Sequence, residues 1–415
     1  MKVLVAHNRY RSGTPSGENR VVDVESEALA AAGHDVVRFE THSDDIGAWP
    51  LPRKATLAAR VIWNQSAYRS LADTLCEYRP EVVHVHNTFP LLSPAILHAC
   101  RRARVPVVLT VHNYRLSCAS GDFFRDGVIC HACDRGPRVP IPAVVHGCYR
   151  GSRAATVPAA LAIGAHRSGW RSLVSAYVFI SAAQRDLLSG LRLPPDRVFV
   201  AHNLVPRQQR SQRLPSLPVA LYAGRLEEAK GVRLLMSAWD RFCARSPDAG
   251  LRLLIAGTGA LDREVAGWAV TRPSVEVLGH VPGARCAELM AQARAVIVPS
   301  LWQEPFGLVV VEAMAAGTPP IASEHGSFAE LITPGLDGVL FPPGDAEALA
   351  LVLADVAADP GRYRHYGDQA RVSYEQRFNP DDHVDRLVEI YRFAISNPAR
   401  GSAPANQPRP SGTVA

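Results

Sequence analysis

The chain has 415 residues, of which 47% are hydrophobic and 20% charged, so a globular protein of two or three domains is expected. No apolar stretch is long enough to cross a bilayer, since the best candidate, 154–165, has only twelve residues and contains Pro158. The first residues resemble a strand more than a signal peptide, so a cytoplasmic location is expected.

The net charge of +6 is concentrated in the first half of the chain, where residues 1–205 carry 24 Lys and Arg against 16 Asp and Glu. Between Arg135 and Arg171 there are six arginines and no acidic residue. Such a basic region favours an anionic partner, which could be an acceptor molecule or the inner membrane surface. A solvated surface is the alternative. No nucleic-acid motif is present, so a nucleic-acid partner is not expected.

Short runs rich in Val and Ile alternate with helical patterns along the first half of the chain. Because strands that are apolar on both faces belong to covered parallel sheets, the pattern predicts a Rossmann-like α/β domain over 1–205. A helix with apolar residues at helical spacing is predicted over 21–32. The predicted strands are 2–7, 35–40, 82–86, 106–112, 177–181 and 197–202.

The pattern stops at a polar, proline-bounded linker, 206–218, and then begins again. A second doubly wound parallel-sheet domain is predicted over 219–375. A helical segment over 376–396 is expected to pack back on the first domain, and 397–415 is expected to be a disordered tail. The predicted strands of the second domain are 219–223, 251–256, 274–279, 295–300, 320–323 and 338–341.

Two such domains would face each other across a cleft at the carboxyl ends of their strands, where open α/β sheets bind ligands. A dinucleotide site needs G-x-G-x-x-G after a strand, and the loops at 11–17 and 257–260 both lack a glycine of that pattern. A G-x-x-x-x-G-K-[ST] motif is absent as well. Hydride transfer and ATP hydrolysis are therefore disfavoured.

A loop with two cations follows the first predicted strand of the second domain. It runs from Gly224 to Gly231 and includes Arg225 and Lys230. The planar fork of Arg and the point charge of Lys can converge on a diphosphate and neutralise it without a metal ion. An ordinary solvated loop is the alternative.

A second motif, 304–314, carries two carboxylates around the expected start of a helix. Pro305 precedes an apolar run, so the helix is expected to begin near Phe306 or Gly307, with free N–H groups that can accept a phosphate. Glu312 lies in the second turn, with its side chain leaning back towards the helix N-terminus, and Glu304 lies just before the helix. Both carboxylates can therefore bind the hydroxyls of one ligand.

The pattern G-R-L-x3-K-G followed by E-P-F-G-L-x3-E-A-M-A-x-G-T-P resembles the family-four retaining glycosyltransferases of GT-B fold, over nearly the whole chain. The resemblance implies transfer of a hexosyl unit from a nucleotide-diphosphate sugar, with UDP or GDP favoured, to a glycan, lipid-linked or small-molecule acceptor. No cofactor is implied for catalysis. The N-terminal loop departs from the usual Gly-Gly and is Ser16-Gly17, and His325-Gly326-Ser327 departs in the same way.

The resemblance also implies the role of each site residue. Arg225 and Lys230 would hold the diphosphate, and Glu312 the ribose. The donor sugar would lie against Glu304 and the backbone of Phe306, Gly307 and Leu308. Ser16, Gly17 and Gly224 would complete the donor site, and the strand-end residue His112 would lie near the reacting centre. Catalytic roles are expected for His112, Arg225, Lys230 and Glu304.

Four cysteines fall in a predicted insertion over 113–150, with the spacing C-x11-C-x2-C-x14-C. The C-x2-C pair with two more cysteines nearby is typical of a structural zinc site formed by Cys118, Cys130, Cys133 and Cys148. Reduced thiols and a disulfide are the alternatives. Two other functions stay open: a nucleotide-sugar epimerase or phosphorylase on the same fold, and an inactive nucleotide-binding scaffold.

Overall fold

The computed structural model describes residues 1–13, 16–134, 138–208 and 217–399. Most of the predicted linker and tail therefore lie outside the described residues. Within the described ranges, no helix has the length and apolarity needed to cross a membrane.

Among the described residues, fourteen strands form two six-stranded sheets and one small hairpin. In chain order the strands are β1 Lys2–Arg9, β2 Asp35–His42, β3 Val82–Asn87, β4 Val107–Val111, β5 Phe124–Arg125, β6 Val128–Ile129, β7 Ala176–Phe179, β8 Val198–Val200, β9 Val219–Ala223, β10 Arg252–Ala256, β11 Val275–Gly279, β12 Ala295–Val298, β13 Pro320–Ser323 and β14 Val339–Phe341.

Seventeen α-helices are described, together with three single 3₁₀ turns. They are α1 Gly17–Ala31, α2 Asp45–Ala48, α3 Leu51–Ala55, α4 Leu57–Ile62, α5 Gln65–Tyr78, α6 Ala95–Ala103, α7 Ile141–His146, α8 Arg153–Leu173, α9 Ala182–Leu187, α10 Val232–Arg245, α11 Asp262–Ala269, α12 Gly283–Gln292, α13 Leu308–Ala316, α14 Phe328–Leu331, α15 Ala346–Ala358, α16 Pro360–Arg377 and α17 Pro380–Ser396.

Both large sheets are parallel throughout, with strand orders β2-β1-β3-β4-β7-β8 and β11-β10-β9-β12-β13-β14. Each order reverses direction beside the first strand of its domain, as in doubly wound folds. The central strands are buried because helices cover both sides; β12 is apolar along its whole length, whereas β3 also carries His84, His86 and Asn87. The predicted fold class, two Rossmann-like domains, is confirmed.

The last helix, α17, returns from the second domain to the first. Leu387, Ile390 and Tyr391 on α17 are fully buried and belong to one apolar cluster with Val5 on β1 and Val108 on β4. The chain therefore crosses between the domains twice, and the C-terminal helix completes the core of the N-terminal domain.

Contacts between the domains fix the walls of the cleft. Glu330 on α14 accepts hydrogen bonds from the backbone N–H of Ala182 at 2.8 Å and from His202 at 3.0 Å. The hydroxyl of Ser181 donates to the carbonyl oxygen of Pro305 at 2.6 Å, and this bond is buried. The start of α9 in the first domain is thus tied to the segment that precedes α13 in the second.

Candidate active site

A cleft lies between the carboxyl ends of the two sheets and encloses about 2550 Å³, part of it open to solvent. Residues of both domains line it, as expected for ligand sites on open α/β sheets. All the donor-binding and catalytic residues expected from the sequence line this one cleft, namely Ser16, Gly17, His112, Gly224, Arg225, Lys230, Glu304, Phe306, Gly307, Leu308 and Glu312.

The loop that follows β9 is held by close backbone packing. The N–H of Gly224 donates to the carbonyl oxygen of Ala256 at 3.0 Å, and the Tyr222 hydroxyl donates to the carbonyl oxygen of Arg225 at 2.7 Å. A Cβ at Gly257 would lie 1.8 Å from the carbonyl oxygen of Gly224, and φ of Gly257 is +149°. Only glycine fits there, so the chain after β10 can pack directly against the backbone of the Arg225 loop.

Lys230 and Glu304 form an ion pair inside the cleft. The Lys230 Nζ lies 2.5 Å from Glu304 Oε1, and the hydroxyl of Ser300 donates to the same oxygen at 2.9 Å. Burial of Glu304 opposes its ionisation, but the Lys230 ammonium outweighs this effect and lowers the pKa of the carboxyl. The cleft therefore contains an ion pair between Lys230 and Glu304, and Glu304 lies two residues before Phe306 in the chain.

Arg225 has more freedom than Lys230. Its side chain is 40% exposed and pairs with Glu227 at 2.8 Å. Exposed pairs of this kind contribute on the order of 1 kcal/mol or less, so a stronger anion in the cleft can displace Glu227.

Helix α13 begins at Leu308, and Gly307 is its N-cap residue, with φ +94°. A Cβ at Gly307 would lie 2.4 Å from Cε1 of Phe328, so a side chain has no room. The ring of Phe306 is buried and stacks on His202 at a centroid distance of 5.6 Å. The free N–H groups at the start of α13 therefore face the cleft from a rigid turn.

Glu312 on α13 pairs with Arg20 on α1 across the cleft. The carboxylate is mostly buried, whereas half of the arginine is exposed. The sequence indicates that Glu312 needs a partner in its apolar surroundings, but it does not identify Arg20, which lies 292 residues away in the chain.

The opposite wall is formed by the start of α1 and the end of β4. Ser16 caps α1 by accepting from the N–H of Asn19 at 3.2 Å. A Cβ at Gly17 would lie 2.8 Å from Leu308 Cδ1, so the starts of α1 and α13 touch across the cleft. His112 bonds through Nε2 to His86 Nδ1 at 2.8 Å, and burial lowers its pKa well below the ordinary value. His112 is thus a neutral imidazole at physiological pH.

Two family models match adjacent parts of the chain. The model described as Glycosyltransferase Family 4 matches residues 15–209, and the model described as Glycosyl transferases group 1 matches residues 206–373. Together they span both domains. The chain belongs to the family-four glycosyltransferases.

Curated relatives cover nearly the whole glycosyltransferase. Glycogen synthase of Mycobacterium tuberculosis is 28% identical over 412 residues, 95% of each chain. Phosphatidyl-myo-inositol mannosyltransferase of Mycolicibacterium smegmatis is 28% identical over 391 residues, 89% of this chain and 86% of that protein. The names of these two relatives give different activities, glycogen synthesis and mannosyl transfer.

Solved structures share the GT-B fold of this glycosyltransferase. Anabaena HepE, whose structure was determined in complex with UDP-glucose, aligns with a TM-score of 0.63 at 19% identity, over 94% of this chain and 98% of that one. Sucrose-phosphate synthase from Thermosynechococcus elongatus aligns with a TM-score of 0.66 at 20% identity, over 95% and 99%. At these identities the likeness establishes the fold.

The cleft of the glycosyltransferase also contains polar residues that sequence reasoning missed. Glu18, in the first turn of α1, and Asn113, directly after His112, both line it. Behind them lies a buried network in which Glu25 Oε2 accepts from His383 at 3.0 Å, while Glu25 Oε1 lies 3.2 Å from His84 Nδ1. The position of Glu18 beside Ser16-Gly17 was the one signal in the sequence that could have identified it.

The four clustered cysteines lie together beside the N-terminal domain without a disulfide. Burial, and next the neighbouring Cys118 thiol, raise the pKa of Cys133 to about 11. No three of the four thiols, all of which are described, lie within 4.8 Å of one another. Zinc coordination at about 2.3 Å per thiolate would therefore require these side chains to move closer together.

Proposed function

We propose that the protein is a retaining hexosyltransferase that uses a UDP- or GDP-sugar as donor and requires no metal ion for catalysis. The observation that carries this proposal is the Lys230–Glu304 pair, which lies in the cleft shortly before α13, with Arg225 in the same cleft. Two cations, Arg225 and Lys230, and the N-terminus of α13 line the same cleft, and this arrangement suits the binding of a pyrophosphate.

In the proposed donor complex, Arg225 and Lys230 bind the diphosphate together with the free N–H groups at the start of α13. Glu312 binds the ribose hydroxyls, which requires that Arg20 leaves its carboxylate. Glu304 and the turn from Phe306 to Leu308 bind the sugar. These roles follow the family resemblance, and the shared cleft supports them.

The proposed reaction proceeds on one face of the sugar ring. The bond from the anomeric carbon to the phosphate oxygen breaks, and the acceptor oxygen bonds to the same face. The acceptor proton passes to the departing phosphate oxygen. Arg225 and Lys230 stabilise the charge on the leaving diphosphate, which is the contribution expected from preorganised cations.

A panel of UDP-, GDP- and ADP-sugars tests the proposal. We expect nucleotide release with one UDP- or GDP-sugar in the presence of excess chelator, and NMR of the product should show the anomeric configuration of the donor. Inversion would contradict the retaining mechanism. Absence of nucleotide binding by calorimetry would contradict the donor site itself.

A structural zinc ion in the cysteine cluster is a separate proposal. Its support is the gathering of four reduced thiols whose charges affect one another. Elemental analysis of protein purified without chelator should find one zinc per chain, and the Cys130→Ser, Cys133→Ser double variant should lose it. Wild-type protein without zinc would exclude the site.

We also propose an anionic or lipid-linked acceptor, with the N-terminal domain in peripheral contact with an acidic membrane. The support is that Ile141 and Val145 on α7, and Val157 and Leu161 on α8, are exposed in the arginine-rich region. Sedimentation with phosphatidylglycerol vesicles, but not with phosphatidylcholine vesicles, is the expected result. Equal binding to the two kinds of vesicle would contradict the proposal that the arginine-rich region attracts an acidic membrane.

A further inference from the structure

Glu18 lies where the two walls of the cleft approach each other. It follows Gly17, the residue whose Cβ position is 2.8 Å from Leu308 of the opposite domain. His112 and Asn113 line the cleft beside it. Glu18 is therefore next to the turn that is proposed to hold the donor sugar, on the side of the N-terminal domain.

The two oxygens of Glu18 have different surroundings. Oε2 accepts hydrogen bonds from the Tyr10 hydroxyl at 3.1 Å and from Asn113 Nδ2 at 3.2 Å. Oε1 is closed off from bulk solvent and has no hydrogen-bond partner among the described residues. A buried acceptor without a donor costs about 1–3 kcal/mol, so an unsatisfied carboxylate oxygen on a residue that lines the cleft is suited to accept a hydrogen bond from a ligand.

The charge of Glu18 is sensitive to pH near neutrality. Burial raises its pKa to about 7, and this effect is partly offset by the Tyr10 hydroxyl, the Arg115 guanidinium and Asn113. Tyr10 precedes α1 and Arg115 follows β4, and these are the ionisable groups that face the carboxyl. A carboxylate on this wall repels the donor phosphates and attracts a hydroxyl group.

We propose that Glu18 binds the acceptor: its Oε1 accepts a hydrogen bond from the acceptor hydroxyl and orients the hydroxyl oxygen towards the anomeric carbon. This assignment rests on the proposed function and adds an acceptor-binding residue to it. The proton still passes to the departing phosphate, so Glu18 contributes orientation and charge. The acceptor class follows from the chemistry: it presents a hydroxyl group, and a water molecule can take its place in slow donor hydrolysis.

The Glu18→Gln variant separates this role from a structural one. The glutamine keeps the volume of the side chain, and its amide oxygen can still accept from Tyr10 and Asn113. Glu27→Gln is the matched control, because Glu27 is an exposed acid on the same helix. The experiment measures nucleotide release from UDP-glucose and GDP-mannose with water as acceptor, between pH 5.5 and 8.5, and the affinity for UDP and GDP by calorimetry.

In wild type and Glu27→Gln, hydrolysis should rise with pH to a plateau, with half of the plateau rate near pH 7. Glu18→Gln should hydrolyse the donor at least about tenfold more slowly, without that pH dependence, and should bind the nucleotide with unchanged affinity. Glu18→Asp should recover part of the rate.

A Glu18→Gln variant with the rate and pH profile of Glu27→Gln would overturn the assignment. A parallel loss of nucleotide affinity would overturn it too, since that result would place Glu18 in the donor site. A wild-type protein that neither binds nor releases nucleotide would overturn the proposed function, and the acceptor assignment with it.

Discussion

At the scale of the residue, each charged side chain assigned to the proposed donor site has a protein partner. Lys230 pairs with Glu304, Arg225 with Glu227, and Glu312 with Arg20. Because opposite charges are already paired, the folded protein avoids isolated buried charges. Donor binding would then exchange these partners for phosphates and hydroxyls.

Arg225→Ala is expected to lower the rate of nucleotide release about 10²–10³-fold, because one cation aimed at the leaving diphosphate is lost. Stability should change little, since the Arg225 side chain is 40% exposed. Steady-state kinetics and a thermal melt measure both. Arg233→Ala removes an exposed arginine of the neighbouring α10 and should leave turnover near the wild-type value. A similar rate for both variants would rule out a role of Arg225 in the reaction.

Glu18→Gln is expected to stabilise the protein, and more so at high pH. The folded carboxyl has its pKa raised from 4.5 to about 7, so the folded state binds the proton more tightly and loses stability as pH rises through that window. The gain should be about 1 kcal/mol at pH 5.5 and about 3 kcal/mol at pH 8. Melting temperatures at the two pH values measure it; an equal shift at both would contradict the raised pKa.

At the scale of the element, the cleft wall that carries the proposed donor site depends on glycines where two backbones, or a backbone and a ring, touch. Gly307 caps α13 against Phe328, and Gly231 at φ +70° would place a Cβ 1.7 Å from the carbonyl oxygen of Pro299. These glycines fix the loops that carry Lys230 and the start of α13. The rigidity of the site is thus a property of the turns between strands and helices.

Gly307→Ala should destabilise the protein by about 3 kcal/mol, from the clash with Phe328 and from the left-handed backbone. Gly267→Ala is the matched control, because Gly267 lies exposed inside α11 with nothing within 4 Å of its Cβ position. That substitution should stabilise by about 0.5–1 kcal/mol. Urea denaturation compares the two, and a neutral Gly307→Ala would contradict the packing.

Helix α8 has one face packed against the protein and one face exposed, although it contains a proline. Its 21 residues include Pro158, and Ala159, Ala162 and Ile163 are buried, while Leu161 is exposed. The sequence left open whether this segment packs or lies on a membrane surface. The structure has one face packed and another exposed.

At the scale of the whole molecule, the end of the chain stabilises its beginning. Helix α17 fills the face of the first sheet, and its His383 bonds the buried Glu25 of α1. His383 also lies 2.7 Å from the carbonyl oxygen of His202. The two domains are therefore joined by a returning helix as well as by the linker.

Ile390→Ala on α17 should cost about 2–5 kcal/mol, because a fully buried side chain is truncated in a well-packed core. Proteolysis should then cut first in the N-terminal domain, although the substitution lies near the other end of the chain. Leu351→Ala on α15, where the leucine is 57% exposed, should change stability by less than about 0.5 kcal/mol. Equal effects of the two substitutions would contradict the packing of α17.

The sequence by itself determined the fold and which segments of the second domain line the cleft. Buried parallel strands are continuous apolar runs, so their number and order along the chain were visible, and the Arg225–Lys230 loop and the Glu304–Glu312 segment are each local in sequence. The sequence did not predict the short helices between 45 and 62, nor helix α16. Tertiary packing, rather than a continuous apolar stripe, specifies these helices.

Only the tertiary structure decided which distant residues meet. Arg20 reaches Glu312, Glu18 faces Asn113, and Glu25 bonds His383 from positions far apart in the chain. The distances among the four cysteines, close but wider than a zinc site, likewise depend on how the insertion folds. A local sequence pattern determines whether a segment forms a strand, a helix or a loop. Contacts between distant segments depend on how both sheets are arranged in the folded protein.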